Sequence, residues 1–306
     1  MSPSEGRPVL VALRALGLGD LLTSLPALRA LALAFPHHHR VLVVPEPLAP
    51  LALHAGGADE VVASVGLRAL PPQLSGPDLA VNLHGRGPES HRLLLARSPR
   101  RLVAFANPAV PESLAGPPWD ASEHEVVRWC RLLSASDIPA DPRDLHLASP
   151  GLSVPPWVRG ATVVHPGAGS EARRWPVGGF AEVARAERAA GREVVVTGGP
   201  SERVLAEALA ELAGLDQRRV LAGRTDVMEL ATVVAEAGRL VAGDTGVAHL
   251  ASAVGTPSVV LFGPTQPRAW GPPSSPRHVV VSSGTAGDPH ADVVDPGLAA
   301  IGVDRV

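Results

Sequence analysis

The chain contains no lysine and no tyrosine, so all 27 of its Lys/Arg positions are arginine. Any cation that binds phosphate here must therefore be Arg or a protonated His. With Ala, Gly, Pro and Arg abundant, the skew reads as the bias of a GC-rich genome. There is a single cysteine, Cys130, which excludes an intrachain disulfide and a cysteine-based zinc site. It lies in the apolar run 126–133 and reads as a buried structural thiol. The formal net charge is −3 over 306 residues, so no basic field points to nucleic acid. Long apolar runs are missing too. Leu21–Phe35 is short, holds Pro26 and is interrupted by Arg29. That is too little for a membrane span and too far along the chain for a signal peptide. The expectation is a cytoplasmic, monomeric protein, with peripheral contact at a membrane surface compatible with it.

What is present is an apolar content of 45% and a length that suits two domains of about 150 residues each. Short β-branched runs alternate with amphipathic helical runs, the pattern of parallel α/β layers. In the first half the strand candidates are Val9–Arg14, Arg40–Pro45, Glu60–Val65, Asp78–His84 and Arg101–Phe105. Helices are expected over Asp20–Ala34, Leu48–Ala55 and Ser122–Ser134, the last with a capping box of Ser122 and Glu125. The Pro-rich stretch Pro139–Arg159 reads as a linker, giving domains 1–150 and 151–306. In the second half strands are expected at Ala161–His165, Glu193–Thr197, Arg219–Leu221, Arg239–Ala242 and Ser258–Phe262. Helices are expected at Val177–Ala190, Ser201–Ala213, Val227–Ala237 and Val247–Val254. Each is followed by a glycine suited to end it: Gly191, Gly214, Gly238 and Gly255. Asp226 with Glu229 makes a second capping box.

In parallel sheets, ligands gather at the carboxyl ends of strands, and three loops that follow strands carry chemistry. In the first, Arg14–Asp20, Gly17 and Gly19 permit tight turning and close approach of a ligand. Asp20 suits a helix N-cap and a general base equally. Pro26 should kink or shorten the helix that follows. In the second, His165–Pro176, Gly167 and Gly169 expose amides, Ser170 adds a hydroxyl, and Arg173 and Arg174 follow directly. Amides with guanidinium are what a diphosphate requires, although two arginines can also be an ordinary solvated pair. Trp175 can anchor the loop. The third is Gly243–Pro257. The amides of Thr245, Gly246 and Val247 at a helix start form an anion site. Asp244 can be a cap, and His249, one turn beyond Thr245, faces either a ligand or a structural partner. The glycine patterns partly match a dinucleotide fingerprint. Leu22 fills a position that needs a small residue, and no acidic residue ends the strand after the second loop. No divalent-cation cluster is evident, and His37, His38 and His39 read as solvated.

Together these segments resemble glycosyltransferase family 9, the heptosyltransferases. Arg14 through Pro26 is similar to the family's opening pattern of a basic residue, Leu-Gly-Asp and a spaced Pro. Arg173-Arg174-Trp175-Pro176 resembles its Lys/Arg-x-Trp-Pro element. Asp244 through His249, continuing to Gly255-Thr-Pro257 and Leu261–Thr265, resembles its strongest signature. The resemblance implies an α/β GT-B fold: two facing Rossmann-like domains with parallel sheets and an interdomain cleft. The acceptor would lie mainly on the first domain and the nucleotide sugar on the second. It implies inverting transfer of a heptose-like sugar from a nucleoside-diphosphate sugar, ADP-linked, to a glycan or lipid-linked glycan hydroxyl, with no metal and no cofactor (EC 2.4 class). The general base falls on Asp20 and the phosphate-binding cation on Arg173, where the family commonly has Lys. Donor contacts fall on Asp244, Thr245, Gly246 and His249, and a ribose-binding acid on Glu202. The family usually closes with a helix returning to the first domain, which would begin near Val306. The rival readings are an NAD-dependent oxidoreductase, a non-catalytic sugar-nucleotide binding protein, and a sugar-nucleotide epimerase on the same fold.

Overall fold

The computed structural model describes residues 6–284 and 286–306. The chain divides between Leu145 and His146 into two units, each built on a five-stranded parallel sheet. The first unit runs β1 (Val9–Leu13), α1 (Leu18–Thr23), α2 (Leu25–Ala34), β2 (His39–Val44), α3 (Ala49–His54), β3 (Glu60–Ala63), β4 (Leu79–Asn82), α4 (Glu89–Leu95), β5 (Arg101–Val103) and α5 (Glu125–Ser134). The strand order is β3-β2-β1-β4-β5. The central strand β1 is almost wholly buried, as expected when helices cover both faces of a parallel sheet. Val11 pairs with Val41 on one side and Ala80 on the other, and the three share one core with Leu13, Val43 and Leu94.

Several local expectations change. The helix expected over Asp20–Ala34 breaks in two at Ser24, with Pro26 the second residue of α2. A first-turn proline gives up an N–H that has no helical acceptor, so the break costs little. The capping box at Ser122 does not form. Ser122 bonds to Asp120 instead, and α5 is capped by His124, whose Nδ1 accepts from the Val126 N–H at 3.3 Å. Glu125, the first residue of α5, is buried. Cys130 on the same helix is buried, and burial pushes its thiol up to about 12, which leaves it an unreactive thiol at neutral pH. The three consecutive histidines are not all solvated. His39 opens β2, is buried, and meets Glu60 Oε2 at 2.7 Å. His38 meets Asp78 Oδ2 at 3.0 Å. Among the described residues no cluster of three or more His, Cys, Asp or Glu could hold a metal ion.

The second unit runs β6 (Thr162–His165), α6 (Val177–Ala189), β7 (Val194–Val196), α7 (Arg203–Ala213), α8 (Val227–Glu236), β8 (Arg239–Gly243), α9 (Gly246–Val254), β9 (Ser258–Phe262), α10 (Pro267–Trp270), β10 (His278–Ser282) and α11 (Pro296–Ala299). The order is β10-β9-β8-β6-β7. The strand expected at Arg219–Leu221 reduces to one isolated bridge between Val196 and Val220. The fifth strand is β10 instead, an edge strand paired only with β9. Gly214 and Gly255 end their helices in the left-handed region, at φ +63° and +79°. Gly238 does not cap; α8 ends at Glu236 with Ala237 as its extended C-cap, and a β-carbon at 238 would lie 2.5 Å from the Gly160 carbonyl oxygen. The Asp226–Glu229 box is formed. Among the described residues no helix is long and apolar enough to cross a membrane.

Burial is the main force holding His84, His91, His165 and His278 below the usual histidine value of 6.5. The unfolded chain therefore binds more protons than the folded one once pH falls below about 6.5. Stability should be full above that value and decline as pH drops toward 5. Calorimetric Tm measured from pH 7.5 to 5 should fall steadily; a flat Tm would show that these histidines are not neutral in the fold.

Candidate functional site

Each sheet has one point where the strand order reverses, between β1 and β4 in the first unit and between β6 and β8 in the second. At such points the loops leaving two neighbouring strands diverge and open a ligand crevice at the carboxyl ends.

In the second unit the loops after β6 and β8 meet. Gly167 is pressed against Glu202, so that a β-carbon there would lie 2.0 Å from Glu202 Oε1. Glu202 Oε2 also accepts from the Gly199 N–H at 2.7 Å, which locks its carboxylate over the loop. Beneath it, His165 is buried, with Nδ1 3.1 Å from Thr197 Oγ1 and Nε2 3.8 Å from Glu202 Oε2. Burial depresses its proton affinity, against the opposing pull of Glu202. Arg173 crosses from this loop to the end of β8. Its Nε donates to Ser170 Oγ at 3.3 Å, and a guanidinium nitrogen lies 3.8 Å from Asp244 Oδ2. Ser170 Oγ in turn donates to the Pro289 carbonyl at 2.5 Å. The same guanidinium closes over Gly169, where a β-carbon would meet it at 2.8 Å. Asp244 is buried and Arg173 is partly open to solvent. The cation thus offsets a buried carboxylate while keeping donors for an anion.

Thr245 stands at the N-cap of α9 in extended conformation. The amides opening the helix at Gly246 and Val247 lie among those that a helix leaves without internal acceptors. They add to the positive end of the helix dipole. His249, one turn on, sets its ring edge-on to Trp270 with centroids 5.8 Å apart, and lines a small recess with Asp244, Phe262 and Trp270. Arg174, by contrast, is fastened to the Ala168 carbonyl and to Glu171. Trp175 is buried, donates to the Ile301 carbonyl at 3.1 Å and packs edge-on against Phe180. It anchors the loop that carries Arg173.

In the first unit, Asp20 is the third residue of α1, not its cap; Gly17 is the N-cap, and Gly19 is the second helical residue. Asp20 Oδ2 accepts from the Gly17 N–H at 3.2 Å, and Oδ1 from Arg14 at 3.2 Å. The carboxylate keeps partial exposure. Arg14 is fully buried, its guanidinium stacked 4.7 Å from the Trp129 ring centroid. It donates to the Asp20 carbonyl at 2.8 Å, the Leu83 carbonyl at 2.6 Å, Thr23 Oγ1 at 3.3 Å and Glu125 Oε1 at 2.9 Å. Leaving such a buried cation unpaired would cost about 3–5 kcal/mol, so its partners hold it tightly in one place.

Sequence reasoning passed over His84, which follows β4 on the other side of the same switch point. Its backbone N–H donates to Asn82 Oδ1 at 2.9 Å, and its Nδ1 is buried with no hydrogen-bond partner. Burial, then the Arg14 charge, holds it below the usual histidine value, with Asp20 opposing. The loop is braced from behind. Asn82 Nδ2 lies 2.9 Å from His91 Nδ1, whose ring donates from Nε2 to the Phe105 carbonyl at 2.7 Å. The available signal was the run Asn82-Leu-His-Gly85 directly after a strand.

The family model described as glycosyltransferase family 9 (heptosyltransferase) matches residues 118–296. Lipooligosaccharide heptosyltransferase 2 of Haemophilus influenzae is 29% identical over 113 residues, covering 36% of this chain and 32% of that protein. Lipopolysaccharide heptosyltransferase 1 of Pseudomonas aeruginosa is 36% identical over 135 residues, covering 44% of this chain and 35% of that protein. The matched stretch thus spans about a third of the length of these relatives. The structure of the E. coli ADP-heptose lipopolysaccharide heptosyltransferase II superposes with a TM-score of 0.74 at 21% identity, over 97% of this chain and 96% of that one. The fold is accordingly the α/β GT-B type of the heptosyltransferases, with two parallel five-stranded sheets.

Proposed function

Because the chain belongs to glycosyltransferase family 9, the heptosyltransferases, we propose that it moves a heptose from ADP-heptose to a hydroxyl of a lipopolysaccharide-type glycan, inverting the anomeric carbon without a metal. The donor belongs to the second unit. The diphosphate takes Arg173, Ser170 and the amides of Thr245, Gly246 and Val247. The loop glycines Gly167 and Gly169 let it approach the backbone, Glu202 receives the ribose hydroxyls, and Asp244 and His249 lie nearest the sugar end. The acceptor belongs to the first unit, with its hydroxyl beside Asp20, while Gly19 in the same segment is taken as a donor contact. The same reading takes the protein as cytoplasmic and monomeric, meeting a lipid-linked glycan at the membrane surface.

In the reaction the acceptor oxygen bonds to the anomeric carbon from the side opposite the diphosphate. The carbon–oxygen bond to phosphate breaks, and ADP leaves with an added negative charge. Asp20 takes the hydroxyl proton as that oxygen becomes acidic in the transition state; a weak base suffices when it is correctly placed. Arg173 and the α9 amides stabilise the departing diphosphate.

The observation that carries this reading is Arg173, held by Ser170 and Asp244 at the opening of α9 with donors to spare. A thermal-shift panel of nucleoside diphosphates, their sugars and NAD tests it. A ligand at 100 times its Kd stabilises by about 2.7 kcal/mol. ADP and ADP-heptose should raise Tm clearly above UDP, GDP and NAD. Stabilisation by NAD with none by ADP would reject the donor site.

A further inference from the structure

Asp20 stands at the end of a buried chain of alternating charges. Arg128 pairs with Glu125, Glu125 with Arg14, and Arg14 with Asp20. Glu125 and Arg14 are almost entirely buried, and Trp129 Nε1 fixes Glu125 further by donating to Oε1 at 2.9 Å. Arg128 is buried against the Trp119 ring at 4.3 Å and bonded to the Asp120 and Glu123 carbonyls. One nitrogen of Arg14 is shared between Asp20 Oδ1, Thr23 Oγ1 and Glu125 Oε1. Two carboxylates therefore divide one guanidinium, and the nearer of them to Arg14 is Glu125, at 2.9 Å against 3.2 Å. If only cohesion were needed, apolar side chains of the same volume would serve as well as a buried ion pair.

We propose that Glu125 is a positioning residue for Asp20: through Arg14 it fixes where the Asp20 carboxylate points and how much of the guanidinium charge that carboxylate feels. This rests on the reading of Asp20 as the base. Without Glu125, Arg14 turns its whole charge to Asp20, which then holds a proton less readily and accepts one from the acceptor hydroxyl less well. The groups facing Asp20 are Arg14 from the end of β1, the Gly17 amide from its own loop, Thr23 on α1 and His84 from the end of β4. Glu125 and Arg128 on α5 act through Arg14.

The direct test is a carboxyl-carbon NMR titration of the ¹³C-Asp-labelled full chain, with the Asp20 signal identified by its loss in Asp20→Asn. In Glu125→Gln the Asp20 midpoint should move to lower pH. Because that change leaves Arg128 without its buried partner, the double variant Glu125→Gln/Arg128→Gln, which removes one charge of each sign, is measured beside it and should show a displacement in the same direction, smaller because the lost Arg128 charge works the other way. Glu125→Asp should return the midpoint toward that of the native chain. A midpoint unmoved in whichever of the two neutralised variants folds, or moved upward, overturns the proposal. Where ADP-heptose turnover is measured, kcat should fall about tenfold with ADP affinity unchanged and with the acidic limb of the pH profile displaced downward. The titration reads Asp20 without turnover. A chain inactive with ADP-heptose would end the transferase reading and leave this result standing, while an unmoved midpoint in an active enzyme would end only the role of Glu125.

Discussion

Replacing Asp20 with Asn is expected to lower kcat by about 1,000-fold, within the range that one general base supplies, while ADP binds as before. The structure separates the two effects. Asp20 belongs to the first unit, and every proposed donor contact except Gly19 belongs to the second. Asn is nearly the same size and can still accept from either Arg14 or the Gly17 N–H, the two donors that Asp20 now satisfies. It cannot serve both, because its amide nitrogen must face one of them. That mismatch costs on the order of 1–2 kcal/mol of local stability, against about 4 kcal/mol of barrier for a 1,000-fold loss. The chain should therefore fold, bind ADP and fail to transfer. Single-turnover kinetics with calorimetric ADP affinity on the same preparation distinguishes the outcomes. Turnover within a factor of ten of native would remove Asp20 from the chemistry.

Replacing Arg173 with Ala is expected to act on binding. A hydrogen bond from a charged donor is worth about 1.5–3 kcal/mol, or roughly 10- to 150-fold in Kd. The loss should reach the upper end, because Arg173 also offsets Asp244, whose carboxylate is buried 3.8 Å away. Without the guanidinium, that negative charge faces the diphosphate uncompensated. Adenosine, which carries no phosphate, should lose little affinity, so the ratio of ADP to adenosine binding isolates the effect. Arg173→Lys should recover part of it. An ammonium restores the charge, but it is a point donor and cannot span Ser170, Asp244 and a phosphate together. Equal ADP affinity in native and Arg173→Ala proteins, measured by calorimetry, would contradict the assigned role.

Much of this architecture is written locally in the chain. β1, β2 and β6 are dense β-branched or apolar runs, and their periodicity is unambiguous. The glycine that follows a helix was readable at Gly214 and Gly255, where only the left-handed conformation is at stake. It misled at Gly238, which is small because another backbone passes close by, a tertiary fact. The expected strand at Arg219–Leu221 failed for a related reason: β-propensity says that a run can pair, not that a neighbour is free to pair with it. The edge strand β10 was missed because it follows the proline-rich stretch 264–276 and is half exposed.

The site divides along the same line. Gly167, Gly169, Arg173, Asp244 and Thr245 announce themselves because each loop directly follows a strand, and loop chemistry is local. Glu202 came only through family resemblance, yet the structure seats it against Gly167. The Arg14–Glu125 pair joins residues 111 positions apart, and no spacing rule reaches that far. Glu125 looked like a capping residue because Ser-x-x-Glu is a capping pattern. Its burial among Arg14, Arg128 and Trp129 is decided by how α5 packs, which the pattern does not record.

The measurement that bears most directly on the whole account is acceptor-dependent release of ADP from ADP-heptose by the purified, chelator-treated chain, with the anomeric configuration of the product read by NMR. Stoichiometric transfer, with the product configuration opposite to that of the donor and no requirement for added metal, is the expected result. ADP released without a glycosidic product, retained configuration, or transfer only after a divalent cation is restored would contradict it.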